Sequence, residues 1–311
     1  MLFVTLHGGK PGEHPLKNNV HAYDKEGAKI TPAVLSEAPG VILDELRGIH
    51  FEGNFLYVVN ANVEQNSLLC YQGAGSSYQL AGRFVSRKTC NSVLHPFDFT
   101  FDGAGHCYLS SQDTNLVTRL TVSPDGRLGT PAPLAPALPS HGPFLAGTFV
   151  ASSVADLGGT TTAVPPPQGL EYSAADKKKH SVRGVLWVND ALYVADEPAS
   201  RVKVYDADGK FLGQSNQVES PVHLVQHAGS LFVTGANQVL TAKLSKPVGD
   251  FTLSAVPALR VKNASGMAFT KEGHVYIASR TENVILKFDS SFKPLKFRCE
   301  LPDNPEFLLH V

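Results

Sequence analysis

One short cassette recurs along this chain, and nothing else in the sequence narrows the fold as much. Its clearest copy runs from Ser181 to Lys210, S-V-R-G-V-L-W-V-N-D-A-L-Y-V-A-D-E-P-A-S-R-V-K-V-Y-D-A-D-G-K. Alternating apolar and β-branched residues predict three strands, Val182 to Val188, Ala191 to Ala195 and Arg201 to Tyr205. Asn189-Asp190 and Asp206 to Gly209 supply the turns between and after them.

The copies are countable through a marker: an aromatic residue, then an aliphatic one, then small or polar residues. The marker begins at Phe3, Tyr57, Tyr108, Tyr193, Phe232 and Tyr276, with spacings of 54, 51, 85, 39 and 44. A period near 40 to 50 residues is that of propeller blades, which predicts an all-β, six-bladed β-propeller. Phe149-Val150-Ala151-Ser152 imitates the marker inside the long gap, so seven blades is the alternative. The residues before it, Pro139 to Pro143, are poor strand formers, which favours six.

The first marker stands too near the amino terminus for a full blade to precede it. Pro305 to Val311 has the look of an inner strand with nothing after it. Residues 1–45 and 304–311 are therefore expected to build one composite blade, closing the ring by pairing the two chain ends and leaving no long exposed edge. No low-complexity linker divides the chain, so 1–311 reads as one domain. It carries a long Pro/Gly-rich insertion at about 127–182, a length that suits a lid or a binding element.

With 27 basic and 28 acidic residues the formal net charge is -1, and no basic stripe is present. Nucleic acid is not expected as a partner, and Lys177-Lys178-Lys179-His180 reads as a solvated loop. Cys70, Cys90, Cys107 and Cys299 show no C-x-x-C spacing, and are expected to be reduced and structural. The opening M-L-F-V-T-L-H lacks a charged leader region, and no apolar run is long enough to span a bilayer. The expectation is a soluble, monomeric, cytoplasmic protein with no membrane partner.

The cassette resembles an NHL repeat. R-G-V-L-W-V, L-Y-V-A-D, S-R-V and V-Y-D-A-D-G within 183–209 match that blade pattern, and the other blades match it in part, with only Arg201 clearly at the Arg position. The resemblance covers most of the chain apart from about 136–180. It implies a propeller but not an activity.

In a propeller the starts of the inner strands ring one mouth of the central channel. Gly48, Asp98, Gly184, His223, Gly266 and Phe307 stand at equivalent places, preceded by Arg47, Phe97, Arg183, Val222, Ser265 and Glu306. The ring thus offers Arg47, Arg183, Asp98, His223 and Glu306. Loops after the markers add Asn60, Gln112, Asp196, Glu197, Arg280 and His7. Two arginines suit a carboxylate or phosphate, because the guanidinium fork binds either bidentately. They suit equally an ion pair with Asp196 or Glu197 that only ties blades together.

His223, Glu306 and Asp98 are the candidates for catalysis, His223 as a general base or as a metal ligand beside the two acids. Arg47, Arg183, Asn60, Asp196, Glu197 and Arg280 are the candidates for substrate binding. The cofactor expectation is none or a single divalent metal. The arginines disfavour a cation unless an anionic substrate lies between, and no nucleotide, hydrolase-elbow or zincin motif is present.

Six-bladed relatives by architecture include gluconolactonase/regucalcin-like and paraoxonase-like hydrolases, strictosidine synthase-like enzymes and peptide-amidating lyases. Their likeness implies a hydrolase or lyase acting on a small molecule, and the two arginines make an anionic one the expectation. The alternative is a non-catalytic, NHL-type protein- or ligand-binding scaffold.

Overall fold

A computed structural model describes residues 1–8, 18–90, 92–131, 145–146, 181–246 and 248–311. Among these residues there are no helices, and the strands form six sheets. No helix is long and apolar enough to cross a membrane.

Alternation of apolar and polar residues, broken by turns at left-handed positions such as Gly53, Asn189-Asp190 and Gly273, folds each sheet as an antiparallel meander. Leu46–Glu52, Phe55–Asn60, Ser67–Ala74 and Ser77–Ser86 form one blade. Pro96–Phe101, His106–Ser111, Leu116–Val122 and Gly129–Pro131 form the next, with Leu145–Ala146 pairing in parallel with its third strand. Three more begin at Val182–Val188, Leu224–His227 and Ala264–Phe269.

The composite blade closes the circle as anticipated: Pro305–His310 pairs with Leu2–Leu6, which continues into His21–Tyr23 and Lys29–Thr31. Val311 N donates to Met1 O at 2.9 Å. Each inner strand contacts those of the two neighbouring blades. Six blades, not seven, complete the ring. The inner strand from Val182 lies directly against that from Pro96, with Val185 N donating to Asp98 Oδ2 at 3.0 Å and Trp187 N to Thr100 Oγ1 at 3.1 Å. Phe149 and most of the 127–182 insertion fall outside the described residues.

The marker aromatics all lie on second strands and are all buried, from Phe3 to Tyr276. They help build six apolar clusters, one in each seam between blades. Burying these faces against each other is what holds adjacent sheets together, since each sheet alone would expose an apolar surface. The four cysteines are buried free thiols.

Seams alternate in kind. Gly48, Gly184 and Gly266 occupy alternate blades, each pressed against the next inner strand. A Cβ on Gly184 would stand 2.6 Å from Val222 O, and the Gly184 N–H donates to that carbonyl at 2.7 Å. Two of the intervening seams are bridged by side chains instead. Asp98 accepts from Val185 N in one, and His223 Nδ1 accepts from Met267 N at 3.2 Å in another.

Candidate functional site

The starts of the inner strands carry β-bulges. Ladder register breaks around Arg47-Gly48, Phe97-Asp98, Arg183-Gly184, Ser265-Gly266 and Glu306-Phe307. A bulge releases two residues from the ladder and re-aims their side chains. Here it sends members of one pair to different places. Phe97 lines a cavity of about 330 Å³ at the mouth, whereas Asp98 lines a second, of about 330 Å³, further down the channel.

Between the two cavities lies an aromatic layer. Phe97 and Phe307 meet edge to face with centroids 5.3 Å apart, and Phe307 meets His223 the same way at 4.7 Å. Phe97 and Phe307 are each 2% exposed.

Above the layer, six of the sequence-nominated residues share the mouth. The Arg47 and Arg183 guanidinium carbons stand 5.5 and 5.1 Å from the Phe97 ring centroid, within the range of cation–π attraction. Glu306 Oε1 receives Arg47 Nη1 at 2.7 Å, Arg280 Nη2 at 2.8 Å and His7 Nδ1 at 3.2 Å. Arg183 Nε donates to Glu197 Oε2 at 2.7 Å, leaving its terminal nitrogens without a partner among the described residues. Lys262 lines the same cavity. Burial alone would raise the Glu306 pKa, but the Arg47 charge, the His7 hydrogen bond and the Arg280 charge outweigh it and hold it at about 2.

Around the rim runs a chain of alternating acids and imidazoles. Asp113 Oδ1 lies 3.4 Å from His95 Nδ1, His95 Nε2 lies 3.1 Å from Glu45 Oε2, and Glu45 Oε1 lies 3.7 Å from His7 Nε2. Burial would lower the His95 pKa, but bonds to Asp113 and Glu45 raise it above the ordinary value. Against the rise that burial alone would cause, His95 and Arg47 lower that of Glu45.

Glu45 and His95 were not singled out from sequence. Both enter an inner strand with left-handed backbones, φ 46° and 51°, where other blades use Ser220 and Asn263. For Glu and His this conformation is strained, and strain held at a cleft points to function. The available signal was a bulky ionisable residue where sister blades carry small or amide ones.

The other candidates do not join this cluster. Asn60 is fully buried and clamps a loop, accepting from Asp44 N and donating to Ile42 O. Asp196 pairs with Lys203 Nζ at 2.7 Å inside its own blade. Asp98 and His223 lie below the aromatic layer, where burial pushes the Asp98 carboxyl up to about 7, against its bonds from Val185 and Phe99, and the His223 imidazole down to about 3.

These donors do not fit a divalent cation. Glu306 already faces two guanidiniums, Asp98 accepts two backbone N–H groups, and one His223 nitrogen accepts another. Among the described residues no three His, Cys, Asp or Glu are grouped to hold a metal.

No family model matches the chain. No curated protein matches it. Solved structures do. One is a protein of unknown function from Bacteroides caccae, 10% identical, TM-score 0.60, over 99% of this chain and 97% of that one. Another belongs to a nidogen/laminin complex, 10% identical, TM-score 0.56, over 99% and 96%. A candidate 6-phosphogluconolactonase from Bacteroides fragilis is 15% identical, TM-score 0.52, over 100% and 97%. At such identities the likeness is one of fold: the chain is a six-bladed β-propeller.

Proposed function

We propose that the protein is an enzyme of the hydrolase or lyase type that takes a small organic anion into the mouth above Phe97. The observation that carries this reading is the concentration of unsatisfied polar atoms there. Arg47 Nε, Gln112 Oε1 and Arg280 Nε are buried without a hydrogen-bond partner among the described residues. Buried polar groups of this kind require a partner from outside the chain, water or ligand.

Arg183, with its terminal nitrogens uncommitted, and Lys262 supply positive charge for a carboxylate or phosphate. His7, between Glu306 and Glu45, stands where it could pass a proton to or from the bound molecule. The reading carries with it a monomeric, cytoplasmic protein without a nucleic-acid partner.

The second reading is a non-catalytic scaffold. It is favoured by the Phe97–Phe307 layer, which plugs the channel as a rigid binding disc would require. A thermal-shift series with citrate, gluconate and 6-phosphogluconate tests whether the mouth takes an anion, and assay of the bound anion for turnover separates an enzyme from a ligand-binding scaffold. A ligand that binds the folded state raises its melting temperature. The enzyme reading expects a rise with at least one of these anions that Arg183→Gln abolishes. No rise with any of them sinks it.

A further inference from the structure

The cavity below the aromatic layer is built unlike the mouth. It is framed by inner strands from all six blades, yet no Lys, Arg or Glu lines it. Its ionisable lining groups are Asp98, His50, His223 and His310. Asp98 turns its oxygens to the N–H groups of Phe99 and Val185. His50 and His310 lie toward the outer end, where the His50 side chain is 50% exposed. Thr100 and Gln226 add uncharged polar side chains, and the rest of the wall is apolar and aromatic, including Phe99, Trp187, Phe269 and Phe307. A pocket of this volume and lining suits a small molecule, and its lack of fixed positive charge gives an anion nothing to pair with.

One polar group is aimed at that space. His223 is 9% exposed. Its Nδ1 accepts the Met267 N–H, which places the ring proton on Nε2. That N–H has no partner among the described residues. Burial keeps the ring neutral down to about pH 3, so Nε2 stays a donor at any ordinary pH. His223 lines the cavity, so an acceptor bound there can take this N–H while the ring stays anchored on Met267.

We infer that this lower half-channel is a second binding site, separate from the mouth, for an uncharged molecule with an apolar body and a carbonyl-type acceptor that takes the His223 Nε2–H bond. The Phe97–Phe307 layer keeps the two ligands apart, so the assignment does not depend on the mouth binding an anion.

Acetophenone is the probe, with isopropylbenzene as its acceptor-free counterpart and benzoate as its anionic one. Binding is followed by calorimetry and by the imidazole ¹⁵N signals of the labelled protein. Acetophenone is expected to bind and move the His223 Nε2 signal, and isopropylbenzene to bind about tenfold more weakly, as one lost hydrogen bond implies. Benzoate should leave that signal unmoved. His223→Phe should bring acetophenone down to the level of isopropylbenzene. Leu309→Trp, which fills the funnel from a partly exposed position on its wall, should abolish acetophenone binding, and it keeps the test if the His223 variant fails to fold. Equal affinity for the two neutral probes, tighter binding of benzoate, or an unmoved His223 signal at millimolar acetophenone overturns the assignment. A citrate shift that survives Leu309→Trp would show the mouth acting on its own account.

Discussion

Arg47 Nη1 lies 2.7 Å from Glu306 Oε1, across the seam between the composite blade and its neighbour. Both side chains are nearly sealed from solvent, at 3% and 2% residue exposure. The pair therefore joins the ring-closing strand to the next blade in a region of low dielectric, where neither charge is well solvated.

Glu306→Gln should leave the buried Arg47 with only the longer 3.6 Å contact to Glu45 and cost up to about 3–5 kcal/mol, measured by denaturant unfolding. Arg47→Met should cost much less in that background than in the wild type, because the two act as a unit. The Glu306 contribution is present above its ordinary value of 4.5 and is lost as pH falls toward about 2. Additive costs for the two substitutions would refute the coupling.

Asp98 runs the other way. Held up at about 7 from an ordinary 3.8, it keeps its proton in the folded state after the unfolded chain has lost it. Its contribution is full below pH 3.8 and falls as pH rises through 7. His223, held down at about 3 from 6.5, contributes fully above 6.5 and loses that contribution as pH falls toward 3. Between pH 5 and pH 8 the stability of Asp98→Asn relative to wild type should improve by about 2–3 kcal/mol, at about 1.4 kcal/mol per pH unit. A pH-independent difference in urea midpoints, converted to free energy, would show that burial does not perturb this carboxyl.

Gly184→Ala places a methyl 2.6 Å from the Val222 carbonyl. Backbone on both sides of that seam has to move, so the substitution should destabilise by about 1–3 kcal/mol. Gly249→Ala, where nothing lies within 4 Å and the backbone is not left-handed, is the matched control and should stay within about 0.5 kcal/mol of wild type. Thermal unfolding of the two variants distinguishes a tight seam from a general intolerance of added volume.

His95→Gly relieves a left-handed backbone that costs an L-residue about 1–2 kcal/mol. The lost contacts with Glu45 and Asp113 are partly exposed, each side chain being about one third accessible, and are worth about 0–1 kcal/mol. The variant should hold or gain stability while weakening citrate binding at the mouth. A clear loss of stability would mean that the rim chain is structural.

Chain order alone favoured six blades over seven and pointed to the closure by Pro305–His310 and the equivalence of Arg47, Arg183 and Glu306 at the inner-strand starts. Strand alternation, turn residues and a fixed repeat length are local properties, so they survive translation into text. What only the tertiary structure decided is which end of the channel each side chain serves. Phe97 and Asp98 are sequence neighbours, yet a bulge and an aromatic layer put them in different cavities. Glu45, His95 and His7 become one chain of charges because three loops from adjacent blades meet at the rim. Such meetings depend on how the sheets pack around the axis. The packing arises from burial in six seams at once, and no single blade encodes it.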